Sequence, residues 1–457
     1  MTSPSGTDIA RYGATSIWKR IIRSEQIGKC ARFLSPAAIS RSATTGELIW
    51  GRSVRTANSL LLVTHVLVRQ GPNGPQIDDQ TAAGIAQWRR YFDKVTYVGI
   101  GDDVHAGGSS TVWVDAPPGA QLIGLPKAYR LPAMARAYRS VRRQLADAIA
   151  THEHLCFTIG GLVGDWPALA AIEAIRQKRK YAAWLDRVEP PIIRNRLAGR
   201  PFPIRIAAEA TFPITEAYSR HILKHSSIAL LQGMDTYNHY AASAPAPHCT
   251  YDTHTHVADE ISADAITAKQ ARITSGSPLE IVYVGRAAAM KGPDDWLGAL
   301  ELLARNDIPF NATWYGDGPD LARMQARVEA SGLSASIRLA GFEGDREVLL
   351  SALRASDLLL FCHKTPESAR CLVEALVCGC PLIGYGTDYP KGLIAQHGGG
   401  SFVPHDPASL AAHLTELHAD RPTLANMVAQ AAASGKLYNE DSVYRHRAEL
   451  MRSAATA

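Results

Sequence analysis

Two doubly wound α/β domains facing each other across a cleft are what this sequence predicts. Three observations point there. Apolar runs have the length and evenness of buried parallel strands, amphipathic segments alternate with them, and Gly-rich turns stand where strands give way to helices. A chain of 457 residues also exceeds one ordinary core and divides naturally in two.

Residues 1–57 form a polar, Ser/Thr-rich lead with one basic segment, Trp18 to Arg23, which is either an extension or an early element of the first domain. The first domain is expected over 58–275. It opens with the strand Ser59 to Val68, followed by a turn-rich loop GPNGPQIDD, a helix from about Gln80 and the strand Lys94 to Ile100. A helix from Leu131 to Ala150, a strand in HLCFTIGGL, a helix from Pro167 and a strand in YAAWLDRV continue the alternation. Pro190 to Phe212, rich in Pro and Arg, reads as a long loop, and the sheet resumes at Ser226 to Gly233. Ala241 to Pro278 shows no sustained period, and the junction is expected near Thr274 to Pro278.

The second domain, expected over 276–437, is more regular. Strands Leu279 to Gly285, PFNATWYG, SIRLAGF, DLLLFCH and PLIGYG alternate with helices from Pro293, Asp320, Glu347 and Arg370, which argues for a parallel sheet with crossover helices. Residues 438–457 are expected as a helix crossing back to the first domain.

Composition sets outer limits. The hydrophobic fraction of 46% with 20% charged residues is that of a globular chain. A net charge of +5 suits a phosphorylated ligand or an anionic membrane surface. The scattered cysteines Cys30, Cys156, Cys249, Cys362, Cys371, Cys378 and Cys380 include no CxxC pair, so a reduced cytoplasm is expected. The N-terminus carries no secretory h-region, and no apolar run reaches the ~18 residues of a spanning helix, so any membrane contact is expected to be peripheral, at the inner face of the plasma membrane.

Ligands of open parallel sheets gather at the carboxyl ends of the strands. Three second-domain loops lie there. In YVGRAAAMKG, Arg286 and Lys291 suit a diphosphate: the guanidinium offers a planar fork and the ammonium a compact charge. One such pairing at ~4 Å is worth on the order of 4 kcal/mol before desolvation. The alternative is two solvated charges. In YGDGPD, Gly316 and Gly318 permit a tight turn, with Asp317 holding a neighbouring loop; an ordinary βα turn is the alternative. In HKTPESARCLVEALVCGCPLIGYG, Glu367 and Arg370 lead into a helix whose opening turn favours a phosphate leaving group. Glu374 lies one turn inside, embedded in apolar neighbours, where it can accept from a ribose diol. The alternative is two acids that merely favour a helix start.

As a set, YVGRAAAMKG, YGDGPD, a GF turn at Phe342 and PESARCLVEALVCGCPLIGY resemble the GT-B fold glycosyltransferases, most of all the retaining glycosyltransferase family 4, over about Leu279 to Asp406. The resemblance implies that Arg286, Lys291 and Glu367 serve the reacting centre. Gly285, Gly316, Asp317, Phe342, Arg370, Cys371, Leu372 and Glu374 would hold the nucleotide-sugar. It further implies hexosyl transfer with retention to a saccharide or polyprenyl-linked saccharide, as in surface polysaccharide biosynthesis. Two departures stand. The family places its glutamates eight positions apart, whereas Glu367 and Glu374 are seven apart, with Pro366 in the expected place. A first-domain histidine of the family has Asp186 or Arg187 in its position. A nucleotide-sugar epimerase and a catalytically silent nucleotide-sugar binder are therefore the alternatives.

His65, Asn73 and Gly74 face the expected cleft, where contact with donor or acceptor is one reading and core or loop packing the favoured alternative. Asp252, His254 and His256 offer a His-x-His pair without a further ligand set, so no metal or other cofactor is expected. Leu131, Met134, Tyr138, Val141 and Leu145 form an apolar stripe amid Lys127, Arg130, Arg136, Arg139, Arg142 and Arg143. Such a helix either lies on anionic lipid or packs on its own sheet, and arginines 194, 196, 200 and 205 add to the basic surface. Aromatics are too sparse among these cations for nucleic acid.

Overall fold

The structure, a computed structural model, describes residues 56–102, 112–197, 199–365 and 368–456. Its first sheet contains β1 (Thr56–Gly71), β2 (Gly74–Asp78), β3 (Lys94–Asp102), β4 (Trp113–Asp115), β5 (Ala120–Leu125), β6 (His152–Thr158), β7 (Ala182–Leu185), β8 (Ile228–Gln232) and β9 (Pro247–Thr250). The helices between these strands are α1 (Asp79–Arg89), α2 (Leu131–Thr151), α3 (Trp166–Arg176), α4 (Glu189–Arg196), α5 (Phe202–His225) and α6 (Gly233–Tyr240). The parallel strands run β5-β3-β1-β6-β7-β8-β9, so the order reverses between β1 and β6. Leu60, Leu61, Leu62 and Val63 of β1 are almost completely buried, as a central strand covered on both faces requires.

After α7 (Ala263–Thr274), the second sheet comprises β10 (Leu279–Val284), β11 (Phe310–Tyr315), β12 (Ile337–Gly341), β13 (Leu358–Phe361), β14 (Leu382–Tyr385) and β15 (Gly400–Val403). Its helices are α8 (Pro293–Arg305), α9 (Leu321–Ala330), α10 (Arg346–Ala355), α11 (Arg370–Val377), α12 (Asp388–Leu393), α13 (Pro407–Ala419) and α14 (Arg421–Gly435), and α15 (Glu440–Thr456) ends the chain. The order β12-β11-β10-β13-β14-β15, parallel throughout, reverses between β10 and β13. Both domains are therefore doubly wound.

Several expectations are corrected. The turn-rich loop after β1 is a hairpin: β2 pairs antiparallel with β1, Asn73 lies in the turn, Gly74 opens β2, and neither lines the hollows described below. The long loop over Pro190 to Phe212 is two helices: Pro190, Pro191 and Pro203 lie in first turns and Pro201 is the N-cap of α5, where a missing N–H costs nothing, and only Pro213 interrupts α5. The aperiodic stretch before Pro278 contains β9 and α7. Few apolar residues mark α7, because Lys269 anchors it: its buried ammonium donates to the carbonyls of Leu353, Cys378 and Gly379 at 3.3, 3.4 and 3.0 Å. Ile273 lies in the second core, so we draw the second domain from α7 onward.

The stripe on α2 is spent mainly inside the protein. Val141 and Leu145 are buried in the first core with Met134 and Tyr138 packed beside them, while Leu131 stays 62% exposed. α15 returns to the first domain, where Tyr444, Ala448 and Met451 join Leu60, Trp88 and Phe92 in one cluster. Arg447 is fully buried there, its guanidinium 4.4 Å over the Trp184 ring.

Candidate active site

At the reversal point of the second sheet, the loops after β10 and β13 flank one another. Gly292 takes the left-handed conformation (φ 67°), and a Cβ there would strike the Cys362 carbonyl, so only glycine lets these loops approach. Gly316 (φ 143°) likewise leaves room for the Gly285 carbonyl. Backbone bonds lace the β10 and β11 loops: Gly285 N–H donates to Tyr315 O at 2.8 Å and Ala287 N–H to Asp317 O at 2.9 Å. Asp317 thus holds its neighbour through its carbonyl. Its carboxylate accepts from Gly318 N at 2.6 Å.

This lacing frames a hollow of about 480 Å³ lined by Gly285, Arg286, Gly316, Asp317 and Phe342. Phe342 is 75% exposed and offers an aromatic face of the kind a flat heterocycle stacks on. Lys291 and Glu374 line neither this hollow nor those described below. Lys291 closes a single helical turn before Gly292, with its positive charge acting on His363. His363, which sequence reasoning missed, is buried at the end of β13 with its Nε2 2.8 Å from the Tyr283 hydroxyl. Burial, then Lys291, pushes its pKa well down and keeps the ring neutral.

α11 begins at Arg370, and Ala369 at its N-cap supplies no side-chain acceptor to the opening turn. Cys371 and Leu372 are buried, so only their backbones can serve a ligand. Among the described residues no hydrogen bond reaches the half-buried Glu374 carboxylate. Desolvation pushes its pKa up, while Arg346 and Arg370 pull it back. Glu367 lies outside the described residues.

A second region forms at the reversal point of the first sheet. The pairing of β1 with β3 slips between Val63 and Leu67, a bulge of the kind that re-aims side chains, and His65 sits in it facing the cleft. Its Nε2 is 3.2 Å from Asp165, whose carboxylate also accepts from the N–H groups of Gly160, Gly161 and Ala168 at 3.0, 2.6 and 2.8 Å. Burial opposes the charged imidazole, yet Asp165 outweighs it and raises the His65 pKa. Two hollows of about 410 and 350 Å³ meet here, sharing His65, Thr158 and Asp186. Arg370 lines the larger and donates to Gln80 Oε1 at 3.0 Å, so α11 of the second domain touches α1 of the first.

His254 and His256 do not present a strand face; both stand in an irregular segment facing Glu440 of α15, at 3.9 and 3.4 Å. Sequence reasoning also missed the His65–Asp165 pairing and Asp78, which lines the larger hollow. The sequence signal for both aspartates is that of a helix cap, Asp78 before α1 and Asp165, in Asp-x-Pro, before α3.

Residues 266–434 match the glycosyl transferases group 1 family. The chain is 27% identical over 259 residues to a 2-deoxystreptamine glucosyltransferase of Streptomyces kanamyceticus, covering 50% of this chain and 67% of that protein. It is 29% identical over 139 residues to a D-inositol 3-phosphate glycosyltransferase of Jonesia denitrificans, covering 29% and 32%. Among solved structures it resembles Anabaena HepE in complex with UDP, with a TM-score of 0.58 at 14% identity over 86% of this chain and 100% of that one. The two doubly wound domains facing across a cleft are the GT-B arrangement, and residues 266–434, within the second of them, match the glycosyl transferases group 1 family model.

Proposed function

We propose that this protein is a glycosyltransferase that moves a hexosyl group from a nucleoside diphosphate sugar, seated at the loops after β10, β11 and β13, to a polyhydroxylated acceptor in the hollow around His65 and Asp186. The observation that carries this reading is the Arg370–Gln80 bond, because it sets the helix assigned to the diphosphate directly against the acceptor hollow. The acceptor hydroxyl oxygen bonds to the anomeric carbon as the bond from that carbon to the diphosphate oxygen breaks, and the products are glycoside, nucleoside diphosphate and one proton. Arg286 and Lys291 oppose the charge growing on the leaving group, aided by the opening turn of α11. Glu374 accepts from the ribose diol, and Glu367 keeps the sugar-contacting role implied by the family resemblance. His65, held by Asp165 through Nε2, presents Nδ1 as the group able to take the proton.

Support for the nucleotide comes from the exposed Phe342 beside Arg286 and from the UDP bound to the HepE fold. Retention at the anomeric carbon, which rests on the family resemblance, is part of the proposal, and product anomeric configuration by NMR tests it. No metal is assigned a step. Thermal-shift titration with UDP-, GDP- and ADP-sugars, followed by nucleoside diphosphate release, tests the whole. Arg286→Ala should fold normally and lose about 100-fold or more in kcat/KM, and undiminished turnover sinks the assignment.

One observation favours a lipid-linked acceptor, with surface polysaccharide as its product, as a second reading. Phe202, Ile204 and Ile206 are 70%, 48% and 51% exposed at the start of α5, beside Arg200 and Arg205. Among the described residues no helix is long and apolar enough to cross a membrane, so such contact would be peripheral.

A further inference from the structure

Glycosyl transfer requires an acceptor hollow but does not require it to be acidic, and this one is. The two first-domain hollows are walled by Asp78, Asp165, Asp186, Asp252 and Glu189 against Arg187 and Arg370, five carboxylates to two guanidinium groups. Four of the carboxylates are engaged within the protein. Asp78 caps α1 through Thr81 N at 2.9 Å, and Asp165 holds His65 and three backbone N–H groups. Glu189 accepts from Arg187 Nε at 2.8 Å, and Asp252 stands 3.6 Å from Arg447 Nη1.

Asp186 differs. Among the described residues no hydrogen bond or ion pair reaches it, although it stands on the wall common to both hollows. Asp186 is exposed on that wall, and desolvation, then the charge of Asp252, raises its pKa. A second unmatched group lines the larger hollow: His254 Nε2 is buried without a hydrogen-bond partner. An exposed carboxylate with no partner of its own, on the wall shared by two hollows, is free to pair with a cation that enters them.

We propose that the acceptor carries ammonium groups, as an aminocyclitol or amino sugar does, and that Asp186 is their anchor with Asp252 and Asp78 beside it. The inference rests on reading the first-domain hollow as the acceptor site. A phosphorylated cyclitol would bring negative charge to a wall already dominated by carboxylates, and a neutral polyol would leave Asp186 without a counter-charge. An ammonium group supplies both the charge and the donors.

Calorimetric titration of the full chain, without donor, with 2-deoxystreptamine, myo-inositol and D-inositol 3-phosphate tests this directly. The diaminocyclitol should bind at least about 30-fold more tightly than myo-inositol. Its affinity should fall as salt is raised from about 50 to about 500 mM, since screening weakens charge pairing. Asp186→Asn should weaken the diaminocyclitol about 30-fold and change myo-inositol by less than about threefold; Asp252→Asn should act in the same direction, less strongly. Circular dichroism of both variants reports folding, and the wild-type comparison needs neither. Equal affinity for the amine and the polyol, or preference for the phosphate, overturns the proposal. The glycosyl-transfer reading fails separately, if no nucleotide-sugar shifts the melting temperature or is cleaved while 2-deoxystreptamine still binds.

Discussion

Replacing Glu374 by Gln should make the protein more stable and worse at its work. The carboxylate is half-buried on α11, no hydrogen bond reaches it among the described residues, and its pKa is raised by desolvation against the pull of Arg346 and Arg370. An unmatched buried charge costs about 1–3 kcal/mol, and with the two arginines offsetting part, about 1 kcal/mol should return on neutralisation. In a domain of this size that is a melting temperature higher by about 2–4 °C. The pH dependence has a definite sign. An acid whose folded-state pKa is raised binds its proton more tightly when folded, so stability falls as pH rises from the unfolded value, about 4.3, through the raised one, and stays lost above it. The gap between E374Q and wild type should therefore be small near pH 4 and full by pH 7–8. Donor binding should move the other way: loss of charge-assisted bonds to a diol, about 1.5–3 kcal/mol, weakens the nucleotide-sugar about 10- to 100-fold. Melting scans across pH, paired with nucleotide-sugar titrations, read both. A gap that does not change with pH, or a variant that binds donor as wild type does, refutes the reasoning.

Other perturbations follow from the same geometry. Gly316→Ala puts a methyl group against the Gly285 carbonyl at a φ that side chains rarely adopt; about 1–3 kcal/mol of strain should appear in denaturant unfolding, with weakened donor binding. Arg447→Ala removes the guanidinium that donates to Tyr251 O at 2.9 Å and lies near Asp252, so the first domain should lose about 3–5 kcal/mol in the same assay. His65→Ala should lower kcat by about 100-fold or more with donor affinity unchanged; an unaltered kcat removes the ring from proton transfer. Phe202→Asp should abolish co-sedimentation with anionic vesicles if the start of α5 meets lipid, and wild type that fails to sediment disposes of that reading.

The second domain was legible because its signals are local. Each buried strand is a continuous apolar run, and glycines mark the loops at its carboxyl end, so Gly285, Arg286, Gly316, Asp317 and Phe342 were named from spacing and resemblance and share one hollow. What escaped depends on partners distant in sequence. α7 was unreadable because a buried lysine, rather than an apolar face, fastens it to carbonyls of Leu353, Cys378 and Gly379. α4 and α5 were taken for a loop because proline in a first turn looks the same in sequence as proline in a coil. His65 is readable as a residue facing the cleft, but the bulge that holds it there has no local signature, and its partner Asp165, 100 positions later, shows in sequence only as a helix cap.

Charge connects the two ends of the reaction. On the proposed donor side Arg286 lines the hollow at the loops after β10 and β11, a cation suited to an anion. Across the cleft the protein gathers Asp78, Asp186 and Asp252. Had both sides been basic, donor phosphates would compete for the acceptor hollow; acidic walls there exclude the diphosphate and leave it one place to bind. Arg370 stands at the boundary, on the first turn of the donor helix and on the wall of the acceptor hollow, bonded to Gln80. Removing its charge should therefore weaken the diphosphate grip and uncouple the two domains together. Arg370→Gln tests this in one experiment: donor affinity and acceptor KM should both worsen, by about tenfold each for a lost charge-assisted bond. If only one of the two changes, the residue serves one side alone, and the bridge between the sites lies elsewhere.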